Sequence, residues 1–329
     1  MKIYDCFLFF QEVDLLEIRL KYLNDKVDYF LIVESNQSIK GNKREFKFEE
    51  IKSKFAKYSD KILYCKVDEF HTTYLSIENL LSKSSSQCDQ FILNQFKLQK
   101  HFNETKLHWV LDFYLKESIH RFLSEVAKDD DLIFYSDLDE IPSKKFIDNV
   151  KSQLKDFDAP KFFVAEQMEF QYFLNLLSPT IWYGTTAGLW SNMRKISINK
   201  LRIGSNILRM KIPGGGDHFT SCGGESLLIS KIENWGHQEF NYHFLKRNAI
   251  KRALCGYDVF CRTLRRVNKI LIIEKSELLD SKLKKILTEY PHLSISSTLH
   301  FSFLDYFELL TIFFINLARK IYFKLKIFI

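Results

Sequence analysis

The chain opens on a short apolar run, residues 3–10, and follows it with Leu16, Leu20 and Leu23 at helical spacing over residues 14–23. A second apolar run, residues 27–33, ends in the polar triplet Glu34-Ser35-Asn36. Residues 46–58 read as a charged helix and residues 61–67 as a third strand. Short apolar runs that alternate with helix-length segments predict parallel strands joined by crossover helices. Residues 71–90 are polar, with serine at 82, 84, 85 and 86, and predict a loop. Residues 107–127 predict one long helix, apolar at Val110, Leu111, Tyr114, Leu115, Ile119, Leu123 and Val126. Three aspartates, Asp129 to Asp131, then lead into a strand at 132–135. A helix after Ser143 runs to about residue 154, and residues 161–176 read as extended strand. Gly214-Gly215-Gly216 and Gly223-Gly224 are the expected flexible points, and residues 278–290 form an amphipathic stretch that stops at Pro291.

Composition narrows the class. A hydrophobic content of 46% over 329 residues can bury a large core, and five prolines with eleven glycines argue against a fibrous or disordered chain. The 31 Phe and 15 Tyr, several in pairs such as Phe162-Phe163, read mainly as core packing. A net charge of +7 favours anionic partners such as nucleotide phosphates, but the excess is modest and carries no nucleic-acid-binding motif. Six cysteines without a CxxC pair or a Cys/His cluster read as reduced thiols, with no zinc site. Met1-Lys2 leads straight into strand, so no leader peptide is expected. Residues 299–329 are rich in Phe, Leu and Ile, and Arg319, Lys320, Lys324 and Lys326 stud their end. The clean apolar run there, 309–318, is too short to span a bilayer, so the tail is expected to lie on a membrane surface, with packing on the domain as the bland alternative. This gives a domain at 1–290 and an amphipathic tail at 291–329, on the inner face of the cell membrane.

The chemistry gathers at Leu132-Ile133-Phe134-Tyr135-Ser136-Asp137-Leu138-Asp139-Glu140-Ile141-Pro142. In an open parallel sheet ligands bind beyond the carboxyl ends of the strands, which puts Asp137 and Asp139 at the mouth of a site. Paired carboxylates suit a hard cation, Mn²⁺ or Mg²⁺, that would bridge the phosphates of a nucleoside-diphosphate sugar and neutralise the departing diphosphate. An Asp-x-Asp alone also occurs as two solvated loop carboxylates; the buried strand before it favours the site.

Four stretches resemble glycosyltransferase family 17, the family of the β-1,4-mannosyl-glycoprotein N-acetylglucosaminyltransferase. They are Tyr4-Asp5-Cys6-Phe7 with Glu12 and Leu15 to Leu20; Phe30 to Ser35; Asp131 to Pro142; and Gly216-Asp217-His218-Phe219-Thr220 through Gly223-Gly224 and Lys231-Ile232 to His237-Gln238-Glu239-Phe240. The resemblance implies an α/β fold of GT-A type, a mostly parallel central sheet flanked by helices. It also implies a UDP-GlcNAc donor and inverting transfer to a hydroxyl of a glycan acceptor. Two positions depart from the family: Asp217 stands where it usually has Trp, and Leu115-Lys116-Glu117 where it usually has a Gln-Arg-Asn-like triplet.

On this resemblance His218 completes the metal shell with Asp137 and Asp139, and Ser136, Trp182, Glu12 and Glu34 join Asp137 around the donor. The general base that inversion requires falls among Glu239, Asp217 and Glu225, with Glu239 first. Each has its structural alternative: a hydrogen-bonded histidine, a buried aromatic, a helix cap or salt bridge, a surface carboxylate. Two other classes compete, a phosphohydrolase of the haloacid dehalogenase type and a non-catalytic sugar-binding membrane protein. The first expects Thr or Val two residues past its second Asp, near the N-terminus, where this chain has Ile141 late in the sequence.

Overall fold

A computed structural model describes residues 1–100, 102–156, 161–204, 207–234, 240–295 and 301–326. The chain forms two compact units. The first holds Met1–Met168 and Ile181–His218; the second holds Glu169–Thr180, Phe219–Glu233 and the described chain from 240 onward.

The first unit is mixed α/β, with helices flanking a central sheet. Strands β1 (Ile3–Leu8), β2 (Tyr29–Ser35), β3 (Ile62–Val67) and β4 (Leu132–Tyr135) are parallel in the order β3-β2-β1-β4, with Cys6 opposite both Leu31 and Tyr135. Helices cover both faces, which is why β1, β2 and β4 read as unbroken apolar runs. Cys6, Leu31, Val33, Ile133 and Tyr135 face the helices of residues 74–123, while Phe134 meets Phe146 of helix Lys144–Gln153 edge-on at 5.7 Å.

Beyond β4 the sheet is mixed: antiparallel pairs join it, while the Met210 amide bonds the Phe162 carbonyl and the Tyr172 amide the Thr220 carbonyl, an equal advance on both strands that makes those two parallel. β5 (Glu140–Pro142) pairs with β8 (Met210–Thr220), and β4 pairs with β7 (Leu176–Leu189). Only residues 172–175 separate β6 (Phe163–Gln171) from β7, too few for the crossover that parallel strands require. The extended reading of 161–176 therefore covers β6 and stops where β7 begins.

Local chemistry explains the other differences. The polar stretch 71–90 is helical, over Tyr74–Lys83 and Gln87–Leu98. Thr73 accepts a bond from the Ser76 amide and Ser86 one from the Asp89 amide, so these two hydroxyls act as helix caps, while Tyr74, Ile77, Leu81, Ile92 and Phe96 are buried. Residues 46–58 are α-helical only over Lys47–Ile51 and continue as 3₁₀ helix over Lys52–Lys61, burying Phe48, Phe55 and Tyr58. The long helix breaks at Ser118, whose hydroxyl bonds the Tyr114 carbonyl at 2.8 Å, into Leu107–Glu117 and Ile119–Val126. The stretch 278–290 is helical only over Ser281–Leu287, capped by Asp280.

Gly214 to Gly216 are not flexible points either; they lie within β8. A Cβ on Gly215 would stand 2.6 Å from Ala165 Cβ, and one on Gly216 would meet the Ile141 carbonyl. Glycine is required there for close strand approach.

In the second unit β9 (Lys269–Ile270) pairs antiparallel with Leu176-Leu177, and Asn175 ties residues 271 and 295 together through its amide. The last helix, Phe303–Lys326, packs within this unit through buried Leu309 and Ile312. Among the described residues no helix is long and apolar enough to cross a membrane.

A Cβ at Gly215 would press on the Ala165 Cβ and on the backbone of residues 165 and 166, so Gly215→Ala is expected to cost about 1–3 kcal/mol, the usual penalty of overpacking. A urea melt of the variant checks it; an unchanged midpoint would show that the strands can part freely.

Candidate active site

The Asp-x-Asp segment is a tight link between β4 and β5, closed by the Glu140 amide on the Asp137 carbonyl at 3.0 Å. Its shape depends on Arg19. Helix Val13–Leu23 carries Arg19 on its buried stripe, and the side chain is fully buried. Its guanidinium meets Asp5 of β1 in a two-pronged ion pair, Nε to Oδ2 at 2.8 Å and Nη2 to Oδ1 at 2.6 Å. The remaining protons go to the link: Nη1 donates to the carbonyls of Asp137 (2.9 Å), Leu138 (2.9 Å) and Glu140 (3.0 Å), and Nη2 to the Ser136 hydroxyl at 2.6 Å. The planar fork of an arginine suits this multiple contact.

With its backbone pinned, the link presents its two carboxylates. Leu138 between them is buried, as a strand-end apolar residue should be. The Asp137 side chain keeps 38% of its surface exposed and accepts from Arg202 Nη2 at 2.5 Å. Asp139 is more enclosed, its Oδ1 3.7 Å from His218 Nε2. The β5–β8 register sets Glu140 opposite His218, and Trp182 of β7 stacks on the His218 ring with centroids 4.8 Å apart.

Glu140 is fully buried and ties these parts together. It accepts from Trp182 Nε1 at 2.7 Å, from the Asp137 amide at 3.0 Å, and from both terminal nitrogens of Arg202. Gly184 makes room for it, since a Cβ there would lie 2.9 Å from the Glu140 carboxyl carbon. Desolvation pushes the Asp137 carboxyl up and Asp139 adds to that, but Arg202, Lys116 and His218 outweigh both and hold it below the ordinary carboxylate range.

Arg202 is itself placed by a buried carboxylate. Glu117 accepts from the Ser197 hydroxyl at 2.5 Å, the Asn199 amide at 3.0 Å and the Ile198 amide at 3.3 Å, at the N-terminus of helix Ile198–Ile203. Neighbouring Lys116 bonds Asp112 at 2.8 Å. Lys116 and Glu117 thus supply a cation near Asp137 and the cap of the helix that carries Arg202.

The site residues expected from sequence divide accordingly. Asp137, Asp139, His218, Ser136 and Trp182 come together. Glu12 lies just beyond β1, its carboxylate accepting from the Gln11 amide at 3.0 Å. Glu34 uses both oxygens within the fold, on Arg44, the Lys47 and Phe48 amides and the Tyr64 hydroxyl. Asp217 is buried opposite Ile141, and strand alternation turns it to the other face of β8 from His218. Glu225 is exposed in the first turn of helix Gly224–Asn234, within the second unit. Glu239 and His237 lie outside the described residues.

The set Asp137, Asp139 and His218 fits Mn²⁺ or Mg²⁺ in kind, two hard oxygen donors and an imidazole. As the side chains stand, Asp139 and His218 face each other while Asp137 holds Arg202, and among the described residues no group of three or more His, Cys, Asp or Glu is arranged around a metal position.

Arg19, Glu140, Arg202 and Glu117 are the residues that sequence reading missed. One of them carried a signal: Arg19 interrupts a buried helix stripe as Asp5 does a buried strand, and two opposite charges that break apolar patterns in adjacent elements point to each other. Arg202 lies in a segment without periodicity long enough to read.

Residues 1–76 match the model of glycosyltransferase family 17. No curated protein matches the chain. Among solved structures it is similar to 2-C-methyl-D-erythritol 4-phosphate cytidylyltransferase of Francisella tularensis, at 10% identity and a TM-score of 0.28, over 65% of this chain and 90% of that one. It is also similar to a mannosyltransferase of Pyrobaculum calidifontis in complex with GDP-Man and Mn²⁺, at 9% identity and a TM-score of 0.34, over 89% of this chain and 69% of that one.

Replacing Arg19 by Met leaves Asp5 buried without its partner, so a loss of about 3–5 kcal/mol is expected, the usual cost of breaking a buried pair. Chemical denaturation measures it. The double variant Asp5→Leu/Arg19→Met should recover part of the loss; no recovery would show that the carbonyl contacts, not the ion pair, dominate.

Proposed function

We propose that the chain is a glycosyltransferase of GT-A type that moves a sugar, GlcNAc in the first instance, from a UDP-sugar to a hydroxyl of a glycan acceptor with inversion. One observation carries the reading. Asp5 and Arg19, inside the segment that matches the glycosyltransferase family model, hold the backbone of the Asp-x-Asp link at the carboxyl end of β4. This supports the reading by tying the segment that matches the family model to the carboxylate pair proposed for the metal.

In this reading Asp137, Asp139 and His218 hold the divalent cation, which when bound neutralises charge on the diphosphate leaving group. Arg202 releases Asp137 and turns to the donor phosphates, with Lys116 as a second cation beside them. Glu140 keeps Arg202 and Trp182 in place, and Trp182 offers a flat apolar surface to the sugar. Glu12 serves the nucleotide, while buried Ser136, held to Arg19, and Glu34, held to Arg44, keep the neighbouring backbone in shape. The base that takes the acceptor proton is proposed to be Glu239; Asp217 is set aside because it turns to the other face of β8 from His218.

Incubation with Mn²⁺ and a panel of UDP-sugars should release UDP from UDP-GlcNAc or a close relative. Asp137→Asn and Asp139→Asn should each lower kcat by about two orders of magnitude or more, a typical loss for a group that stabilises leaving-group charge. Both should also weaken Mn²⁺ binding as followed by electron paramagnetic resonance. Turnover unaffected by EDTA would remove the metal from the mechanism, and release of inorganic phosphate in place of UDP would mean a hydrolase.

Arg202→Ala separates its two roles. Freed of its ion pair, Asp137 should bind Mn²⁺ more tightly while KM for the UDP-sugar rises. If neither quantity moves, Arg202 has no part in the site.

A further inference from the structure

The helix Phe303–Lys326 is amphipathic in the reverse sense. Its polar residues face its own unit. Asp305 pairs with Lys251 at 2.7 Å; Glu308 pairs with Arg252 at 3.1 Å and accepts from Asn248 at 2.9 Å. Asn316 bonds the Tyr242 hydroxyl at 2.9 Å and the Phe260 carbonyl at 2.7 Å, and Arg319 lies over the Tyr242 ring at 4.9 Å. With buried Leu309 and Ile312, these residues mark the inward stripe. The opposite stripe is apolar and open to solvent: Phe303 is 86% exposed, Phe307 64%, Phe314 58%, Leu317 43% and Ile321 52%. Leu304 and Ile315 widen it.

A helix at the surface of a water-soluble domain turns its charged side outward. Here the charges are used inside, so the outward stripe calls for an apolar contact. Its residues, with Leu310, repeat at spacings of four and three, the seam of a coiled coil, so a second copy of the chain is one candidate. Charge argues against it. From residue 309 to 329 there is no Asp or Glu, while Arg319, Lys320, Lys324 and Lys326 crowd the end. Paired in parallel, two copies would set these basic ends side by side. Paired antiparallel, they would offer them Asp305 and Glu308, which Lys251 and Arg252 already hold. An anionic bilayer surface satisfies both features, taking the aromatic stripe at the acyl boundary and the lysines at the headgroups.

We infer that the outward face of helix Phe303–Lys326 lies flat on an anionic lipid surface. The cytoplasmic leaflet is the negatively charged one, which makes it the leaflet in question. The inference stands apart from the sugar-transfer reading, and its test is chosen so that each can fail alone.

The full chain is floated with vesicles of phosphatidylcholine, or of phosphatidylcholine with phosphatidylglycerol, while sedimentation reports its oligomeric state. Flotation is expected with the anionic vesicles, weakened by salt. In Phe307→Ser/Phe314→Ser, which touches only the open stripe, the bound fraction should fall about tenfold or more, from the apolar area lost. UDP release by this variant on a soluble acceptor should be unchanged. No flotation with either vesicle overturns the inference, as does a stable dimer that the double variant dissolves. Equal flotation of wild type and variant would overturn it too, since binding would then run through another surface.

Discussion

Everything at the candidate site hangs on one buried arginine. Arg19 has no water to solvate it, so every proton it carries must find an oxygen inside the protein. Asp5 takes the charge, and the carbonyls of Asp137, Leu138 and Glu140 with the Ser136 hydroxyl take the rest. A link of four residues would otherwise sample many shapes. Binding two of its carbonyls, and that of Glu140 just beyond it, to one rigid fork leaves it a single shape, which keeps Asp137 partly exposed and Asp139 facing His218.

A second layer of charge sits on this frame. Glu140 and Asp137 share Arg202, Glu117 caps the helix that carries it, and Lys116 stands nearby. Two carboxylates share the one guanidinium of Arg202, with Asp139 close to His218 beside them, so carboxylates outnumber guanidinium groups in the side chains as they stand.

The second unit solves a different problem. Its last helix sends its acids inward to Lys251 and Arg252, which leaves large apolar side chains in water. Inward polar contacts are satisfied in the structure itself; the outward apolar stripe is left uncovered among the described residues.

The sequence by itself determined the parallel half of the sheet, because strands buried on both faces must be apolar throughout and that pattern is local. It also placed the Asp-x-Asp at the end of β4, since a buried run that stops at two carboxylates has only one sensible exit. It failed where the signal was not local. The serine-rich stretch 71–90 became two capped helices because caps depend on which amides lie free, and the glycines of β8 served strand contact because Ala165 and Ile141 approach from distant parts of the chain. Only the tertiary structure decided that Arg19 reaches across to Asp137, that Arg202 stands on its carboxylate, and that the last helix turns its polar side inward. The physical reason is common to all three: a charge in a linear pattern declares that it needs a partner, and only the folded chain brings that partner within reach.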